Sequence, residues 1–266
     1  MMLSPVITTS YYRKVILICI ILISGNNLFS QQPKDSSIIA VKYKFTFVQD
    51  TLDMKSVIYE PMVLLTNGKK SVYYSENHKD AVEGFSRMLK EAGRTGNTID
   101  PTNLPKAKVR HSVYKDDNTT YISNYLGTAY YTFKSPDVLD WKIESIITEN
   151  IAGYKCTKAT VKVGGKVFVA WFTYDIPLSD GPYKFRGLPG LILKVNDTGS
   201  FTVFEVISLT KASLPIVQKK GIEVTREQYL SKRNEFMSDP LQGRVNNPEY
   251  RNRIKANRLR YNNSLE

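Results

Sequence analysis

Between Gly181 and Leu193 the chain sets Tyr183, Lys184, Phe185 and Arg186 in a row, bracketed by Gly181-Pro182 on one side and Gly187-Leu188-Pro189-Gly190 on the other. An aromatic ring offers a stacking face, and an ammonium or guanidinium beside it offers contact with an anion. The alternation therefore suits a ligand that is both apolar and charged. Glycine admits φ > 0, whereas proline fixes φ and removes a donor, so the segment is neither strand nor helix until Leu191-Ile192. Two readings stand. One is a lid that plugs its own sheet with Lys184 and Arg186 in water; the other is a binding loop carried on a rigid scaffold. In either case Leu188, Leu191 and Leu193 would anchor it, with bends at Gly187 and Gly190.

Upstream, Val169 to Tyr174 is apolar on both of its alternating faces, which predicts a central strand covered on both sides. Trp171 and Tyr174 on a concave sheet are candidates for lining a site for an apolar or amphipathic ligand. Cys156 alternates with Tyr154 and Lys158. It reads as a small buried hydrophobe, since a reactive thiol would need a neighbouring cation to lower its pKa. His78 and His111 lie in polar segments expected to be exposed. There is no G-x-S-x-G elbow, no H-E-x-x-H helix and no glycine loop followed by Lys-Ser/Thr. Neither histidine has a second histidine or a cysteine nearby in sequence. No catalytic residue, metal site or cofactor is expected, and the chain reads as a binding protein rather than an enzyme.

The elements that must hold these residues are mostly strands. Val41, Tyr43, Phe45 and Phe47 alternate with Lys42, Lys44 and Thr46, a period of two with one wet face. Tyr59–Thr66 and Lys69–Ser75 flank Asn67-Gly68, a hairpin signal of the type in which both turn residues take φ > 0. Thr119–Asn124, Thr128–Lys134 and Trp141–Thr148 follow. Tyr154–Val163 and Lys166–Tyr174 flank Gly164-Gly165, and Leu191–Val195 and Phe201–Leu209 flank a second turn cluster. Asp80–Ala92 carries one apolar face (Ala81, Val82, Phe85, Met88, Leu89) and predicts a helix stopped by Gly93. Residues 94–109 read as a long loop. Thr225 with Gln228 forms a capping box for a helix to Met237, and Asn247-Pro248 could start another in a tail that is otherwise helical or disordered. The expected fold is mainly β (α+β): a curved antiparallel sheet or half-barrel with two or three peripheral helices.

Arg13-Lys14 before the apolar run Val15–Ile23, then polar residues and Ser30, has the layout of a secretory leader. Nine apolar residues fall short of the ~20 that a spanning helix needs. The expected organisation is a leader over 1–30, one β-rich domain over 31–238 and a basic Asn-rich tail over 239–266. Cys19 lacks the preceding small residue of a lipidation site, and cleavage leaves Cys156 alone, so no internal disulfide forms. The formal charge of +12 for the 266 residues becomes +10 once Arg13 and Lys14 are removed. A basic exported chain meets a lipid, a peptide or an envelope protein, with peripheral membrane contact open, and nucleic acid is not expected outside the cytoplasm. The expected location is the periplasm or outer membrane, or secretion beyond it.

Gly187-Leu188-Pro189-Gly190-Leu191-Ile192 resembles the motif that defines the GLPGLI family of exported bacterial proteins. Gly153-Tyr154-Lys155-Cys156, Ala170-Trp171-Phe172-Thr173, Ile176-Pro177 and Gly181-Pro182 fit that family in order and spacing over about forty residues. The resemblance implies an exported, mostly β protein and carries over no catalytic residue, since the family has none assigned. A looser architectural likeness is to periplasmic half-barrels that carry lipids or lipoproteins. It leaves three functions open: a binder of an apolar or amphipathic ligand or of a protein partner, an assembly factor of an outer-membrane system, or an enzyme with an unrecognised site.

Overall fold

The computed structural model describes residues 35–239, 247–260 and 262–265. The expected leader lies outside them. Among the described residues, eleven strands and a short twelfth form one sheet in the order β12-β6-β5-β4-β3-β2-β1-β11-β10-β9-β8-β7. In chain order these are β1 Ile39–Asp50, β2 Asp53–Thr66, β3 Ser71–Ser75, β4 Ser112–Lys115, β5 Thr120–Leu126, β6 Ala129–Lys134, β7 Lys142–Ile151, β8 Tyr154–Val163, β9 Lys166–Thr173, β10 Leu191–Asp197, β11 Thr202–Lys211 and β12 Ile222–Glu223. Neighbours are antiparallel, except that β12 runs parallel to β6. The sheet is thus two meanders, β1–β6 and β7–β11, joined at a β1–β11 seam.

Chain length forces this sheet to curl. β6 and β7 are ten strand steps apart, about 48 Å along the sheet at ~4.8 Å per step. Yet only the short connection from Lys134 to Lys142 joins them, and it reaches at most ~29 Å when fully extended. A chord that short under an arc that long needs roughly half a circle of curvature. The main core fills the resulting concavity, drawing Tyr43, Phe45, Met62 and Tyr73 from one arm and Ala159, Phe168, Phe172 and Phe204 from the other. A smaller cluster, Val63, Leu65, Val72 and Ile216, lies on the opposite face of β2 and β3.

Turn chemistry explains several connections. Gly164 and Gly165 both have φ > 0 (58° and 81°) and close the two-residue β8–β9 hairpin at Val163↔Lys166. Ala152 and Gly153 do the same for β7–β8. The Asn67-Gly68 hairpin forms, but its loop has four residues, closing at Thr66↔Ser71, and only Gly68 takes φ > 0 (86°). The Asn67 side chain instead accepts from the Lys69 and Lys70 amides, so the expected two-residue turn is replaced by a side-chain-capped one.

Helix α1 runs Glu76–Thr95, longer at both ends than expected. Ser75, the last residue of β3, caps it through the His78 amide, and the left-handed residue that ends it is Gly96 rather than Gly93. Helix α2, Arg226–Ser238, begins at Thr225 with both halves of the capping box made. Helix α3, Pro248–Arg260, starts with proline at its first position, where a missing N–H costs nothing. Beyond it, Asn263 is buried, donating from its side chain to the Val48 carbonyl at 2.8 Å, while Lys166 donates to Asn263 Oδ1 at 2.6 Å.

Candidate functional site

The segment from Gly181 to Leu193 crosses the concavity as a plug. Tyr183 and Phe185 are 2% and 1% exposed. Tyr183 lies parallel to Phe204 with ring centroids 6.2 Å apart, and Phe185 packs on Phe168 at 4.9 Å. Tyr43 donates from Oη to the Ile192 carbonyl at 2.7 Å, and Trp141 from Nε1 to the Arg186 carbonyl at 2.7 Å. Burial, aided by the Asp180 carboxylate, raises the Tyr43 phenol well above its ordinary range, so it stays a donor.

Both cations of this segment are used internally, which corrects the expectation that they face water. Lys184 is 5% exposed and its Nζ lies 2.6 Å from Asp137 Oδ2, in the β6–β7 connection. Arg186 is half-buried and donates to the Asp116 and Asp117 carbonyls at the β4–β5 turn. A third cation, Lys115 at the end of β4, is 1% exposed; it sits 2.5 Å from Asp180 and donates to the Gly181 carbonyl at 2.6 Å. Burial lowers the Lys115 pKa even though the Asp180 carboxylate opposes the shift. The plug thus ties the β9–β10 side of the sheet to the β4–β5 turn and the β6–β7 connection.

The flanking motif residues serve that geometry. Gly187 has φ 96°. Gly190 is needed for space: a Cβ there would lie 2.0 Å from the Thr173 carbonyl oxygen. Gly181, Pro182, Leu188, Leu191 and Ile192 are buried, and Pro189 is exposed. Trp171 and Tyr174 do not join the plug. Phe168, Ala170 and Phe172 fill the concave face of β9, whereas Trp171 is half-buried on the outer face beside Lys158 and Lys194, and Tyr174 is exposed. The outer face of β9 is therefore only partly covered, against the expectation of a strand covered on both sides.

Next to the plug is a chamber of about 540 Å³. Phe45, Phe47, Ile58, Ile122 and Phe133 of the concave face form its floor, and Tyr183 forms one wall. Of the six residues singled out from sequence, Tyr183 alone lines it. Its backbone sits at φ 51°, unusual for a bulky side chain, and is held there by ring contacts to Phe204 and His111. A second wall is α2. Tyr229 stacks on Phe133 at 4.7 Å and accepts from Asn124 Nδ2, which sets Arg233 and Met237, one and two turns on, against the chamber. Asn263, Ser264 and Leu265 close another side.

The rim is the segment Lys108–His111, fixed by a buried carboxylate: Glu60, 1% exposed, accepts from Ser75 Oγ and from the Lys108 amide. His111 was expected to be exposed and is 8% exposed. Its ring sits among Tyr183, Phe45 and Tyr73, and its Nε2 is buried without a protein partner. Burial lowers its pKa to about 4, so the imidazole is neutral near pH 7. The burial of Cys156 bears out the packing reading, and desolvation raises its thiol to about 11. Among the described residues no cluster of His, Cys, Asp or Glu could hold a metal.

Residues 163–194, which run from the end of β8 through the plug into β10, match a family described as "Protein of unknown function (Porph_ging)". The likeness covers the motif region alone. No curated protein matches the chain. Among solved structures, PNGF-II in its P21 crystal form is similar, with a TM-score of 0.52 and 18% identity over 75% of this chain and 34% of that one. Its C2 form gives 0.51 and 18% over 75% and 33%. The chain thus spans about a third of that protein, and the likeness is one of β-rich fold. An uncharacterized conserved protein from Thermus thermophilus has a TM-score of 0.35 at 8% identity, over 71% of this chain and 90% of that one, too low to bear on the fold.

Proposed function

We propose that this chain is an exported envelope protein that binds an apolar or amphipathic small molecule without transforming it. The observation that carries the reading is the chamber of about 540 Å³, floored by aromatic and aliphatic side chains beside the plug. Its size falls within the ~300–1,000 Å³ typical of small-molecule sites, and such sites are mostly apolar with a few placed polar groups. The motif loop supports the reading indirectly. With Lys184 and Arg186 committed to Asp137 and to main-chain carbonyls, the loop holds the two arms of the sheet around the space instead of gripping a ligand with its own cations.

A protein partner, the other occupant expected from sequence, has a different surface in its favour. β7 is an edge strand whose register shifts between Glu144 and Thr148, and Ile146 within that shift is 96% exposed. Edge strands are where a further strand can add.

The test is titration with N-phenyl-1-naphthylamine, a neutral apolar fluorophore. One-to-one saturable binding is expected, abolished by Ile122→Trp, which fills the floor. The absence of saturable binding, or equal binding by the Ile122→Trp variant, would overturn the small-molecule reading.

A further inference from the structure

The buried cations around the plug, and the half-buried ones on β8 and β10, each have a carboxylate: Lys115 has Asp180, Lys184 has Asp137, Lys158 has Glu144, and Lys194 lies between Glu149 and Glu205. The chamber breaks that habit. Lys108, Arg110 and Arg233 line it, and among the described residues none of the three is ion-paired and no Asp or Glu is part of the lining. The Arg110 guanidinium lies over the Tyr125 ring at 5.3 Å, which orients it without neutralising it. At the same cavity His111 keeps a buried Nε2 with no protein partner. Buried polar atoms in folded proteins are nearly always paired, so an unpaired one on a residue that lines a cavity marks an unmet hydrogen bond beside it.

From this juxtaposition we infer that the ligand is a single-tailed amphiphile with an anionic head, a carboxylate or a phosphate, and that Lys108, Arg110 and Arg233 select the charge while His111 completes the head group's hydrogen bonds. The inference rests on the chamber being the binding site. The tail enters the floor of Phe45, Ile122 and Phe133, displacing water from apolar surface. The head stays at the rim, where long cationic side chains keep their charge hydrated while their stems cover apolar surface. Three cations, with no Asp or Glu among the described lining residues, make a field that favours an anion and opposes a cation of the same tail length.

The experiment uses the mature protein loaded with N-phenyl-1-naphthylamine and displaces the probe with four twelve-carbon amphiphiles below their micellar concentrations. These are dodecanoate, dodecyl phosphate, dodecyl maltoside and dodecyltrimethylammonium. Expected is displacement by at least one of the two anions at a concentration at least tenfold lower than by the neutral or cationic chain, a difference that shrinks in high salt. Whichever anion is stronger tells whether a fatty acid or a lipid phosphate is the source. In Lys108→Gln/Arg110→Gln/Arg233→Gln the neutral probe should still bind and the charge preference should vanish; His111→Phe should weaken the anions and spare the probe. Arg233→Glu alone serves if the triple variant does not fold, and should lower the preference at least several-fold. Equal displacement by the cation, an undiminished preference in these variants, or anion binding that survives Ile122→Trp would overturn the inference. If the neutral probe binds to the wild type and is lost in Ile122→Trp, those outcomes leave the chamber itself standing as a site.

Discussion

Lys115→Met is the sharpest test of how the plug is held. The side chain is 2% exposed, and its ammonium faces the Asp180 carboxylate at 2.5 Å and the Gly181 carbonyl at 2.6 Å. Removing it leaves a carboxylate with 8% side-chain exposure to face a low-dielectric interior, a change that typically costs about 3–5 kcal/mol. The loss is one of pairing rather than volume, because methionine fills nearly the same space. With an m value of about 3 kcal/mol/M, the urea midpoint should fall by roughly 1–1.7 M. Asp180→Asn keeps an acceptor for the Gly181 amide, which Asp180 Oδ1 holds at 2.8 Å, but it strands the ammonium and should also destabilise. The double variant Lys115→Met/Asp180→Asn buries no unpaired charge, so it should cost clearly less than the sum of the singles, a coupling of order 1–3 kcal/mol. Far-ultraviolet circular dichroism gives the midpoints, and indole fluorescence reports the loop through Trp141, which donates to Arg186. A midpoint within ~0.2 M of wild type for Lys115→Met, or strict additivity in the double variant, would refute the view that this pair latches the plug.

Two further outcomes follow from the same geometry. Gly190→Ala should prevent the native loop from closing, because its Cβ would sit 2.0 Å from backbone that cannot yield; soluble, cooperatively unfolding Gly190→Ala protein with an unshifted midpoint would count against the structure. His111 titrates at about 4 when folded and near 6.5 when unfolded, so the unfolded chain takes up its proton first as pH falls. Stability is therefore undiminished by this group above pH ~6.5 and declines by about 3 kcal/mol as pH drops to ~4. His111→Phe should flatten that limb in urea melts between pH 7 and 4, and parallel curves for the two proteins would show that His111 is not the group responsible.

What could be read from sequence divides along range. Local signals were legible: the Gly164-Gly165 turn, the Thr225–Gln228 capping box, the alternation from Val41 to Phe47, and the mainly β class. The start of α1 was missed because its cap, Ser75, is also the last residue of a strand, so the chain passes from sheet to helix with no intervening loop. β4 was missed because Ser112–Lys115 has only four residues and is followed by the turn-like Asp116-Asp117-Asn118. The burial of Lys184 was illegible for a different reason: its partner, Asp137, is 47 residues away, and charge alone argues for solvent. The chamber is illegible in the same sense. Its floor, rim, helix and tail come from separate stretches of chain, and His111 in a polar run gives no local hint that aromatic rings surround it.

The seam between the two meanders has a consequence for how the chain can mature. Within β1–β6 and within β7–β11 each strand pairs with its neighbour in sequence, but β1 meets β11 only when Ile39 finds Lys211 and Phe47 finds Thr202. Contacts that far apart in sequence form late, since a long loop must close before they return any free energy. Until then each half presents an open edge lined by strand-forming residues: Val41, Tyr43 and Phe45 on one, Phe204 and Val206 on the other. An unpaired edge of that kind pairs readily with another copy. A chain synthesised from its N-terminus makes β1 available well before β11, so the interval between their arrivals is the period in which self-association competes with folding. Circular permutants that begin within β6–β7 and join the natural ends would bring the two seam strands closer in sequence, shorten that interval, and expose in their refolding yield how much the seam governs.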